Sequence, residues 1–203
     1  MKLLKKAIFI NVLSAGLFIA SPLSAADTPT DTPKDMKWET FTSKENGFSV
    51  DVPTQPEHIH QEITIPQTDL KIAYDTYISE PSEHIVYVIS VWNYPHEIDM
   101  SQPDVNLQDG FGGMLSALPD SEVVDMQMTK KDGFNVLTFK VKNDDVIFEG
   151  KLMLVHNTLY QVFAVYKSSE DVKQDFSRFI DSFKLVSPEK RKIPASETYK
   201  AKV

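Results

Sequence analysis

Apolar and polar residues alternate with a period of two over much of this chain, and turn residues interrupt the alternation at short intervals. KWETFTS (37–43) and FSVDV (48–52) flank Glu45-Asn46-Gly47, and Asn-Gly between alternating runs is a strong hairpin signal. Pro53 and Pro56 end that strand. EHIHQEITI (57–65) and LKIAYDTYI (70–78) flank PQTD, which predicts a second hairpin. IVYVISVWNY (85–94) is apolar on both faces, as expected of a strand in the middle of a covered sheet. SEVVDMQM, FNVLTFKVK, VIFEGKLMLVH and LYQVFAVYK continue the series, with turns at KKDG (130–133), NDD (143–145) and His156-Asn157-Thr158.

Two segments change the period. In PDVNLQDGFGGMLSALPD (103–120), Val105, Leu107, Phe111, Met114, Leu115 and Leu118 form an imperfect helical stripe. Gly110, Gly112 and Gly113 each cost about 1 kcal/mol relative to Ala in a helix, and close approach of helix to sheet is the expected reason. The second helix is cleaner: Val172, Phe176, Phe179, Ile180 and Phe183 fall on one face, and Ser168 with Asp171 is predicted to cap its start. Hairpin-connected strands with two separated helices predict an α+β domain, a curved antiparallel sheet covered by helices on both faces.

The ends of the chain read differently. Lys2, Lys5 and Lys6 precede an apolar run (7–20), Pro22 and the small residues Ser24-Ala25-Ala26. That order predicts a signal peptide over 1–26, cleaved near Ala25 or Ala26, and a periplasmic or secreted protein. Residues 27–36 form a Pro/Thr/Asp spacer, and 187–203 a disordered tail with five basic and two acidic residues. A single domain, 37–186, is expected between them.

Composition narrows the chemistry. With no cysteine, the protein has no disulfide, thiolate nucleophile or Cys-ligated metal, so packing alone must hold the domain. A domain of about 150 residues buries roughly 68–70% of its unfolded surface, enough without cross-links. A net charge of −8 argues against nucleic-acid binding, which needs a basic footprint. The exception is the tail, whose Lys190, Arg191, Lys192, Lys200 and Lys202 suit a weak, salt-sensitive contact with an anionic membrane.

The closing pattern KLMLVHNTLYQVFAVYKSSEDVKQDFSRFIDSFKL resembles the end of PsbP-like domains and of exported bacterial proteins similar to them. GFSVDVPTQP resembles the opening strand and proline corner of that family, and VISVWNYP, LQDGFGGML and SEVVDMQM fit its order. The resemblance spans roughly 45–186 and rests on core and turn residues. It implies a curved antiparallel sheet between helices and a binding or accessory role without enzymatic activity or cofactor. It carries over no site residue.

The residues themselves offer few sites. The chain lacks the G-x-S-x-G elbow of a hydrolase, and GFGG (110–113) lacks the Lys-Ser/Thr ending of a phosphate loop. EHIHQE (57–62) is the remaining constellation: on a strand His58, His60 and Glu62 share one side, where two imidazoles and a carboxylate are candidate ligands for Zn²⁺ or Cu²⁺. H-x-H supplies only part of a tetrahedral shell, so a solvated strand face is the plainer reading. The sequence therefore predicts a non-enzymatic envelope protein acting on a protein or envelope partner. The alternative is a periplasmic metal-binding protein using His58 and His60.

Overall fold

The computed structural model describes residues 37–186 except Pro66; the predicted signal peptide, spacer and basic tail lie outside the described residues. The elements run β1 (Glu39–Ser43), β2 (Phe48–Val52), β3 (Glu57–Thr64), β4 (Lys71–Ser82), β5 (Ile85–Asn93), α1 (Pro103–Ser116), β6 (Glu122–Lys131), β7 (Phe134–Asn143), β8 (Val146–Val155), β9 (Thr158–Lys167), α2 (Lys173–Ser182) and β10 (Lys184–Leu185). Seven strands form one sheet in the order β3-β4-β5-β9-β8-β7-β6, and β1-β2-β10 form a second. Every pairing is antiparallel.

The two-faced apolar runs occupy the positions their pattern demands. β5 and β9 pair directly in the interior of the seven-stranded sheet. Alternate residues of β5 serve separate cores. Val86 and Val88 join Leu107, Phe111 and Met114 of α1. Tyr87, Ile89 and Val91 join Phe48, Val50 and Val52 of β2, with Phe179 and Phe183. The second core is thus filled by the small sheet together with α2, where a helix alone had been expected. The architecture is antiparallel α+β.

The turns follow from their residues. Asp132 (φ 53°) and Gly133 (φ 84°) both lie in the left-handed region, as a two-residue type I′ hairpin requires. Asp144 (φ 54°) turns the β7–β8 hairpin in the same region, which Asp tolerates better than most residues.

Two local expectations need correction. Ser168 does not cap α2: the helix starts at Lys173 after Val172, without a side-chain cap, and the Ser168 N–H donates to Asp145 O at 2.7 Å. The backbone thus uses Ser168 to close the end of β9 against the β7–β8 turn. Of the three glycines of α1, only Gly110 makes the expected close approach, where a Cβ would lie 3.1 Å from Leu159 Cδ2; Gly112 and Gly113 face open space. A tighter approach occurs elsewhere, where a Cβ on Gly150 would fall 2.3 Å from Val162 O.

Candidate functional site

The β3–β4 hairpin decides the fate of the histidines. Its register sets His60 opposite Asp75 and His58 opposite Tyr77. His58 Nε2 lies 2.7 Å and His60 Nδ1 2.9 Å from the same oxygen, Asp75 Oδ1. An ionised carboxylate only accepts, so both rings donate, which fixes the tautomer of each neutral ring. His58 also stacks on Tyr77, with centroids 4.5 Å apart and planes 4° from parallel. Asp75 is only 8% exposed. Burial alone would raise its carboxyl, but hydrogen bonds from His58, His60 and Asn46 outweigh that and hold it below its ordinary value.

The cluster continues inward as a structural tie. Tyr77 Oη meets Ser43 Oγ at 2.9 Å and accepts from Asn46 Nδ2 at 2.9 Å. Tyr160 Oη of β9 donates to Asn46 O at 2.8 Å. The β1–β2 turn is thereby fastened to β4 and β9. Glu62 takes no part in this cluster: its carboxylate pairs with Lys71 at 3.1 Å on the exposed surface. Among the described residues no group of three or more His, Cys, Asp or Glu side chains is arranged to hold a metal ion. His58 and His60 each reach Asp75 through one ring nitrogen only, Nε2 and Nδ1, while Glu62 is engaged by Lys71.

The opposite edge has another character. Among the described residues β6 pairs only with β7, and it carries a bulge between Val123 and Asp125. Val123 and Met126 lie opposite Val141 and Phe139, both members of the core beneath α1. Directly paired residues share a face, so Val123 and Met126 extend that apolar face outward. α1 packs over β7 and β8, and beyond it Val123 and Met126 are each 44% exposed, with Val124 51% exposed. The alternation of SEVVDMQM identified the strand, but the same alternation suits a covered strand, so its exposure was not legible.

Two apolar grooves also lie on the surface. One, of about 560 Å³, lies beside α1 and is lined by Trp92, Tyr94, Gly113, Met114 and Leu159 among others. The other, of about 590 Å³, is walled by Phe134, Val136, Met153, Val155 and Phe183 and contains Lys151. Lys151 is only 5% exposed. Its Nζ donates to Ile180 O, in the last turn of α2, at 2.8 Å and stands 5.2 Å from the centre of the Phe183 ring. Burial, reinforced by Lys131 and opposed by Asp181, lowers the Lys151 pKa to about 8. In the sequence Lys151 sits within an alternating run, where lysine ordinarily marks the solvent side.

No protein-family model and no curated protein matches the chain. Among solved structures, the chain is similar to the solution structure of cyanobacterial PsbP from Synechocystis sp. PCC 6803. The TM-score is 0.50 at 10% sequence identity, over 78% of this chain and 98% of that one. At that identity the likeness concerns the fold, which is PsbP-like. The resemblance read from the core and turn residues therefore holds at the level of architecture.

Proposed function

We propose that this is an exported, non-enzymatic binding module that engages a protein partner of the cell envelope along β6. The observation that carries the reading is the apolar strip of Val123, Val124 and Met126 on an open edge strand. Natural sheets commonly blunt their edges with charge, bulges or cover. β6 has its bulge and several charged residues, yet keeps three large apolar side chains in water. An extended partner segment adding to β6 would satisfy its free backbone groups and bury these side chains, the arrangement used in strand addition. The predicted signal peptide supports export, and the PsbP-like fold supports a scaffold for binding only by analogy, since one fold hosts many functions.

The test is to replace Val124 and Met126 together by Lys and to compare recovery of the envelope partner with that by the unaltered protein. Loss of central apolar anchors is expected to weaken association at least about tenfold, with melting of the protein itself nearly unchanged. Equal recovery of the same partner by both proteins would remove β6 as the binding surface.

A further inference from the structure

We propose that the groove at Lys151 binds a fatty-acid-like monocarboxylate, its head on the Lys151 ammonium and its apolar body along Phe134, Val136, Met153, Val155 and Phe183. An ammonium has three N–H donors, and that of Lys151 makes one hydrogen bond, to Ile180 O. Among the described residues no carboxylate lies within ion-pair reach of it; a carbonyl and the Phe183 ring are its partners. A buried cation without a counter-ion is costly, and supplying one from a ligand would relieve that cost.

The surroundings define the ligand class. Lys131 and Lys184 also line the groove, against Asp132 and Asp181, so its charged lining favours an anion on a protein that is acidic overall. Among the described residues the groove has no arginine fork, which suits a singly charged head better than a multiply charged phosphate. The remaining wall is aliphatic and aromatic, and the volume of about 590 Å³ falls in the range of roughly 300–1,000 Å³ typical of small-molecule sites. A lowered lysine pKa agrees with this geometry, because a bound anion would raise it again.

Decanoate and decan-1-ol, both below their aggregation range, are the probes. Nuclear magnetic resonance titration should show decanoate shifting signals of Phe134, Val155 and Phe183, and binding at least roughly tenfold more tightly than the alcohol. Lys151→Met should reduce decanoate to the level of the alcohol. On the unaltered protein, decanoate should move the titration of the Lys151 ε-carbon to higher pH, a readout that does not depend on the variant folding. The proposal is overturned if decanoate and decan-1-ol bind alike, if decanoate perturbs a different surface or none, or if the Lys151 titration does not move.

Discussion

The two edges of the seven-stranded sheet are both open to water, yet they are built on opposite principles. β3 presents Glu57, His58, His60 and Glu62, and its two imidazoles are gathered onto the buried carboxylate of Asp75. β6 presents Val123, Val124 and Met126, with a bulge, while the helix on this side packs chiefly over β7 and β8. At β3 the exposed polar atoms are spent within the molecule, tying the β1–β2 turn to the sheet through Asn46 and Tyr77. At β6 close to half of each of these apolar side chains is left in water. An edge that is finished internally reads as structure, and an edge that leaves apolar area in water reads as interface.

Phe179→Ala empties a fully buried position in the core shared by α2 and the small sheet, and should destabilise by about 3–5 kcal/mol. Lys173→Ala, at an exposed position of the same helix, should change stability by less than about 0.5 kcal/mol. Denaturant midpoints measure both, and similar midpoints would mean that the buried face of α2 has been misassigned.

The β3 edge should give the next largest effect. Asp75→Ala leaves His58, His60 and Asn46 without their shared acceptor and should cost about 1–3 kcal/mol. The pH dependence has a definite sign. Because the Asp75 carboxyl is held below its ordinary value in the folded state, its contribution is fully present above the ordinary carboxylate range. It is lost as pH falls through the lowered value. The difference in stability between the unaltered protein and Asp75→Ala should therefore shrink on acidification into that window, as pH-dependent denaturation would show. A difference that stays constant would mean that the carboxylate does not act through its charge.

The β6 edge should give the smallest effect on stability. Met126→Lys alters a side chain that is 44% exposed and should shift the free energy of unfolding by about 0.5 kcal/mol or less. A loss as large as that of Asp75→Ala would show that Met126 belongs to the core of the domain and would erase the contrast between the edges.

Much of this contrast was partly written in the sequence. The hairpin at PQTD is closed by Ile65 N–H donating to Leu70 O at 2.9 Å. Pairing outward in step from those two residues brings His60 opposite Asp75 and His58 opposite Tyr77. The clasp was therefore accessible from register, whereas the period-two pattern of EHIHQE groups residues along one strand and so sets Glu62 beside the histidines. The central strands were legible because both of their faces are apolar, and the stripe of α2 because Phe179 and Phe183 recur on one face. The start of α2 was not, since Ser168 and Asp171 have a capping pattern that the backbone uses as a turn. Exposure of β6 and burial of Lys151 depend on where α1 ends and where α2 terminates over β8, and a hydrophobic pattern does not encode the reach of one element across another.

Site-specific photo-crosslinking tests the account most directly. A photoreactive residue introduced separately at Val124 and at Glu62, in cells that produce the protein naturally, probes the two edges under identical conditions. The account predicts a discrete protein adduct from position 124 and none of comparable yield from position 62. Equal adducts from both edges, or none from position 124, would contradict the assignment of β6 as the interface.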